Sequence, residues 1–366
     1  MIIAILLVVL IFGLLVFVHE LGHFVAARRN GVEVEEFGFG FPPRAFGKKV
    51  GKTIYSINWL PLGGFVRMKG EDGADVSKGS FGAAPFFKKF KILTAGVIMN
   101  ALTAFVILVA LCYFGMPAAV ARTLSSAPVA REQVANVLVL TVAKDSPAAK
   151  SGIVVGESIV SINGEKLKTE QDLTAATKRL AGTKATMVVR KKDGTTRVVD
   201  VQLRDAEEGK KGGFLGVSPF ETHTVSYGRR APLVAAQMTV AMLWGTFKGF
   251  VLGVAGLLHI GGKAGGEAAA TVTGPVGIVV LLSNVLQLGA GYILFFVATI
   301  SASLAVVNIL PIPALDGGRT FLLLVQRFTG KSLSPEGEGR VHMIGFFLLI
   351  GLMILITVFD VQRLLN

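Results

Sequence analysis

The chain has 366 residues, a hydrophobic fraction of 52%, a mean hydropathy of +0.63 and a net charge of +13. Such an apolar composition excludes a soluble or disordered chain and predicts a protein resident largely in a membrane. The basic residues gather beside apolar runs, so they read as topology signals and anionic-lipid contacts and not as a nucleic-acid surface, while Cys112 as the sole cysteine excludes a disulfide framework or thiolate metal site within one chain.

Ile2 to about Ala27 is long enough to cross a bilayer. No basic residue precedes it and Arg28-Arg29 follow it, which predicts a retained anchor with a cytoplasmic C-terminal end and not a cleaved signal. Within it stands Val18-His19-Glu20-Leu21-Gly22-His23. Helical residues four apart share a face, so His19 and His23 can grip one metal ion while Glu20 points at its open coordination position. This is the layout of a zinc hydrolase, in which the metal activates a water and Glu20 takes its proton. The alternative is two buried histidines satisfied by backbone, and the cost of three ionisable groups in lipid weighs against it.

Residues 28–91 carry Arg28, Arg29, Lys48, Lys49, Lys52, Lys88, Lys89 and Lys91, which predicts a cytoplasmic segment. Thr53–Leu60 has strand character, Pro61–Gly64 is a turn signal and Phe65–Met68 reads as the returning strand of a membrane-associated β-hairpin. It either dips into the membrane, shielded by protein or lining a wet cavity, or lies at the surface. Ile92–Phe114 is a second span, returning outward, whose one strongly polar residue, Asn100, suits an interhelical hydrogen bond.

From Met116 to about Arg230 the composition is that of a soluble α+β domain, which the preceding outward span places outside the cytoplasm. Strands are expected at Val137–Ala143 and Ile159–Ile162, helices at Ser146–Ala149 and Glu170–Leu180, and a hairpin from Ala185–Arg190 and Thr196–Leu203 about Lys192-Asp193-Gly194. The segments Asp145–Ile153, Gly156–Ile159 and Ile162–Gly164 resemble a bacterial PDZ domain, and the resemblance implies binding of extended peptides by strand addition. Glu157 stands where Asp is usual, and no Gly-rich carboxylate loop precedes Val137, although Gly212–Val217 offers a late strand or loop. A steric filter that binds no peptide is the alternative.

Ala231–Ile260 is apolar but interrupted by Gln237 and Lys248, and Gly261–Gly266 is a flexible stretch suited to gating, followed by Gly274-Pro275-Val276-Gly277. Gly291 to about Val307 opens a further span that runs into Asn308-Ile309-Leu310-Pro311-Ile312-Pro313-Ala314-Leu315-Asp316-Gly317. The prolines break the helix, and an ionised Asp316 beside that break calls for a cation, unless it caps a helix at the interface. His19 lies about 17 residues into its span and Asp316 about 25 into its own, so at 1.5 Å per residue both fall in the far half. They meet if the two helices run in the same direction, which requires an odd number of crossings between them. The simpler count makes Ala231–Ile260 an interfacial or re-entrant helix and Gly345–Phe359 the fourth span. His223, His259 and His342 are expected at surfaces or interfaces and not as zinc ligands.

Taken together, His19-Glu20-x-x-His23 in the first span and Asn308-x-x-Pro311-x-Pro313-x-Leu315-Asp316-Gly317 in a late one resemble the site-2 protease family of intramembrane zinc metalloproteases, in its bacterial RseP-type branch. The resemblance implies a Zn2+ cofactor held by His19, His23 and Asp316, with Glu20 as general base. It further implies that Gly63, Gly64, Phe65, Val66, Arg67 and Met68 hold the substrate extended and that Asn308 contacts it near the scissile bond. Ala95–Asn100 departs from relatives that carry Pro after the Gly. The expected architecture is a polytopic α-helical membrane protein of about four transmembrane helices: residues 1–115 and 291–366 form the two halves of the protease core, 116–230 the extracytoplasmic PDZ-like domain and linker, and 231–290 the interfacial or re-entrant helix and loop. The implied location is the bacterial inner membrane with the active site toward the cytoplasm. Implied partners are the lipid bilayer and transmembrane proteins already cut by another protease, such as anti-sigma factors or signal-peptide remnants. Competing readings are a membrane-anchored PDZ adaptor with a structural metal, and a transporter using Asp316, which predicts internal repeats that the sequence lacks.

Overall fold

The computed structural model describes residues 2–71, 75–191, 193–257, 273–331 and 333–365. Gly261–Gly266, His259 and Lys192 lie outside them. In chain order the elements are α1 (Ile2–Arg29), β1 (Val34–Val50), β2 (Thr53–Met68), α2 (Phe86–Phe114), β3 (Met116–Pro117), α3 (Ala118–Leu124), β4 (Arg131–Val142), α4 (Pro147–Lys150), β5 (Ser158–Ile162), β6 (Glu165–Lys166), α5 (Glu170–Arg179), β7 (Lys184–Arg190), β8 (Thr196–Gln202), α6 (Ala206–Gly212), β9 (Val217–Ser226), α7 (Ala231–Leu257), α8 (Pro275–Leu288), α9 (Ala290–Ile309), α10 (Asp316–Thr329) and α11 (Pro335–Leu365). They form two compact units, one of Met1–Leu108, Met238–Ser283 and Phe296–Asn366, the other of Val109–Gln237 and Asn284–Phe295.

Among the described residues, five helices are long and apolar enough to cross a membrane, against about four expected: Ile2–Arg29, Phe86–Phe114, Gly228–Gly256, Ala290–Ile309 and Glu336–Gln362. The addition is α7, which Gln237, Lys248 and its glycines fail to interrupt. A helix satisfies its own backbone, so isolated polar residues and glycines do not end it.

In the first unit the hairpin differs from expectation. Thr53–Leu60 and Phe65–Met68 do not pair with each other; both belong to β2, and both pair with β1. Residues 36–39 lie between them, their partners descending from Arg67 to Gly64 on one side and ascending from Ile54 to Ile57 on the other. The chain then turns at Gly51-Lys52, so that Arg44–Val50 pairs back on Thr53–Asn58. Gly38, Gly40, Pro42, Pro43 and Gly47 read as loop residues, which is why the sequence pattern hides β1. Gly63, at φ +110°, is held where a Cβ would meet Val16 Cγ1 at 2.8 Å, so the backbone of β2 lies directly on α1.

The second unit holds a seven-stranded sheet in the order β3-β9-β4-β5-β7-β8, with β6 on β5. Alternation in β7 and β8 turns Ala185, Met187, Val189, Val199 and Val201 into a core shared with Val137, Ile159 and Leu173. A capping box of Thr169 and Asp172 starts α5. Gly212–Val217 leads into the late strand β9, which pairs with β4. Glu157 is buried and takes three contacts from the guanidinium of Arg197, Nη2 to Oε2 at 2.9 Å and to Oε1 at 3.2 Å, and Nε to Oε1 at 3.3 Å. Glu157→Ala strands a partly exposed Arg197 and is expected to destabilise this unit by about 2 kcal/mol, read by pulse proteolysis of the full chain.

Candidate metal centre

His19 and His23 sit one turn apart on the buried face of α1, their rings edge to face with centroids 4.9 Å apart. Their Nε2 atoms approach to 3.2 Å. Asp316, the first residue of α10, brings Oδ2 to 2.8 Å from His19 Nε2 and 3.0 Å from His23 Nε2. The carboxylate faces the imidazoles and does not cap its own helix. Asn308 lies half-buried in the last turn of α9, and no hydrogen bond among the described residues ties it to this cluster.

His23 Nδ1 is 2.7 Å from the Ile92 carbonyl oxygen, which can only accept, so Nδ1 carries the proton and the Nε2 lone pair faces His19 and Asp316. His19 Nδ1 is 3.2 Å from the amide nitrogen Nδ2 of Asn100, a residue with no exposure to solvent. The amide oxygen Oδ1 of Asn100 is buried without a partner; turned toward His19 Nδ1 it accepts that proton and leaves Nε2 free as well. Ser301 Oγ in turn donates to the Asn100 carbonyl at 2.8 Å. Two lone pairs of buried imidazoles and one oxygen of a half-buried carboxylate, aimed at one point, repel one another unless a cation lies between them. Two nitrogens and an oxygen are a donor set that zinc accepts.

Room for the pair comes from Gly96 on α2. A Cβ there would run into His23 Nε2 and lie 2.7 Å from His19 Nε2. Gly96→Ala is expected to lower zinc affinity by at least about tenfold, measured by chelator competition, because the histidines must shift to admit the methyl. Small and polar residues four apart in an apolar span, Gly96 and Asn100, were the sequence signal for this contact.

Glu20 is half-buried beside His19, within electrostatic reach of His23, Asp316 and Glu71. Of the predicted substrate strand, Gly63, Gly64 and Met68 are buried, Phe65 and Val66 half-buried and Arg67 exposed, where it pairs with Glu35 at 3.2 Å and Glu36 at 3.1 Å. Glu71 then joins β2 to α10: Oε2 accepts from the Met68 N–H at 3.3 Å, and Oε1 pairs with Arg319 of α10. Glu71 and Arg319 carried no recognisable signal in sequence, since each reads as an ordinary surface charge.

A family model described as peptidase family M50 matches residues 7–352. The regulator of sigma-W protease RasP of Bacillus subtilis is 29% identical over 97% of each chain. The zinc metalloprotease RasP of Bacillus licheniformis is 30% identical, over 97% of this chain and 98% of its own. A predicted zinc metalloprotease of Clostridium acetobutylicum is 35% identical, over 98% of this chain and 97% of its own.

Proposed function

The chain belongs to peptidase family M50, the site-2 proteases, as a zinc metalloprotease of the RseP type, and from that premise we propose that it hydrolyses peptide bonds within or beside transmembrane helices, with His19, His23 and Asp316 as zinc ligands and Glu20 as general base. The observation that carries this reading is the convergence on one point of two buried imidazole nitrogens, from residues four apart, and a carboxylate oxygen from a residue 293 positions beyond the second of them.

Bound there, zinc supplies Lewis acidity to the scissile carbonyl and its attacking water. Glu20 takes the proton of that water and returns it to the leaving amine. The Ile92 carbonyl and the Asn100 amide keep both imidazoles in the tautomer that presents Nε2. A transmembrane helix hides its peptide bonds, so the substrate must unwind; residues 64–68, which pair with β1 on one side, offer their other edge to it as a strand. Asn308 orients the extended chain near the scissile bond.

We read the second unit as a PDZ-like domain. Support comes from α5 packing beside β9, whose stretch 217–221 pairs with β4 on one side while β3 reaches only Thr224 and Val225. That geometry suits a peptide added as a strand, or a filter for the bulk of a substrate's external domain. The exposed Phe41, Phe46, Ile57 and Trp59 beside Lys48, Lys49 and Lys52 suit a hairpin in contact with the membrane. Parity of α1 and α9 means that α7 crosses only if the chain returns through α8; otherwise α2 alone crosses between them. The site faces the cytoplasm of a bacterial inner membrane, and an anti-sigma factor is the substrate class, in keeping with the regulation of sigma-W that the name of the Bacillus subtilis relative gives.

The test compares membrane proteins in cells carrying wild type or Glu20→Gln. Shortened transmembrane fragments are expected to accumulate with the variant; identical profiles would count against proteolysis in the membrane.

A further inference from the structure

His342 and Gly345 lie one turn apart on α11, against the turn that precedes Asp316. Leu315 N–H donates to the Ile312 carbonyl at 3.2 Å, which closes a four-residue turn with Pro313 and Ala314 at its centre. Ala314 has φ +79°. Proline cannot take a positive φ, so this is a type II turn, whose third position ordinarily takes Gly or Asn. An alanine there favours the type I form, reached by flipping the Pro313–Ala314 peptide, and the left-handed conformation costs about 1–2 kcal/mol.

Both poles of that peptide are met by α11. Its N–H donates to His342 Nδ1 at 2.9 Å. A backbone N–H can only donate, so Nδ1 is the acceptor and the ring proton is on Nε2. That nitrogen is buried without a hydrogen bond, 3.7 Å from Glu338. The carbonyl of Pro313 lies against Gly345, where any Cβ would overlap it. A flip to type I would withdraw the N–H from His342 and turn the carbonyl toward the ring.

We infer that His342 and Gly345 are positioning residues that select the type II form of the Ile312–Leu315 turn and so hold the Asp316 carboxylate on the zinc. This rests on Asp316 being a zinc ligand. Asp316 begins its helix immediately after the turn, so a turn free to exchange between the two forms holds the start of that helix, and with it the carboxylate, less firmly. A histidine that looked unassigned in the sequence is thereby given a part in the metal centre without touching the metal.

The experiment follows zinc release to a chelator from the purified full chain in detergent, alongside helicity and elution profile. His342→Leu, which keeps bulk but removes the acceptor, is expected to release zinc about tenfold faster. His342→Asn, whose Oδ1 stands in for Nδ1, is expected to stay within about twofold of wild type, and adding Ala314→Gly to His342→Leu is expected to restore retention, because glycine takes the positive φ unaided. Equal release rates for wild type and His342→Leu would overturn the inference, as would Asn and Leu variants that behave alike. Asp316→Ala serves as the reference: zinc lost there but retained in His342→Leu refutes only the positioning role, whereas zinc retained in Asp316→Ala refutes the ligand reading itself.

Discussion

Glu20→Gln is expected to lower peptide-bond hydrolysis by about 10²–10⁴-fold while zinc content and fold stay at wild-type levels. The amide has nearly the shape of the carboxylate, so packing beside His19 is kept, but it cannot accept a proton from water at neutral pH. Glu20 stands outside the group of three ligand atoms that converge, which separates its loss from loss of the metal. The measurement is cleavage of a reconstituted single-span membrane protein together with metal analysis of the same preparation. Activity near wild type would remove Glu20 from the mechanism, and joint loss of zinc and activity would make it a ligand.

The second large effect is expected at the three proposed ligands. Asp316→Ala removes the one anionic donor and leaves His19 and His23 with Nε2 atoms 3.2 Å apart and no carboxylate between them. Zinc affinity is expected to fall by more than the roughly 10–100-fold that loss of an outer partner costs, and His23→Ala to act alike. Asp316→Asn keeps an oxygen donor without its charge and is expected to fall between Asp316→Ala and wild type. Chelator competition orders the three variants; a full complement of zinc in Asp316→Ala would exclude it from the coordination sphere.

Membrane residence, the helices α1, α2 and α9, and the break at Pro311 and Pro313 were legible in the chain, because long apolar runs and proline act locally. The histidine pair was legible for the same reason: spacing of four places two side chains on one helical face whatever surrounds the helix. Four strands of the second unit, β4, β5, β7 and β8, followed from alternation and turn residues. β1 was not legible, since its glycines and prolines argue for loop and only contact with both stretches of β2 makes it a strand. The helix α7 was expected at 231–260, and Gln237, Lys248 and its glycines leave it unbroken because a helix closes its own hydrogen bonds.

The sequence by itself therefore determined the chemistry on offer: two imidazoles and a carboxylate at helical spacing, and an aspartate beside a proline break. Tertiary structure decided what those groups do to one another. It set Asp316 Oδ2 within 3.0 Å of both Nε2 atoms, put Gly96 where no side chain fits, and placed Asn100 beside His19, Ile92 beside His23 and His342 against the turn before Asp316. These contacts join residues remote in the chain, and no local propensity encodes them; they exist because close packing of helices brings particular buried polar atoms together, and each such atom requires a partner.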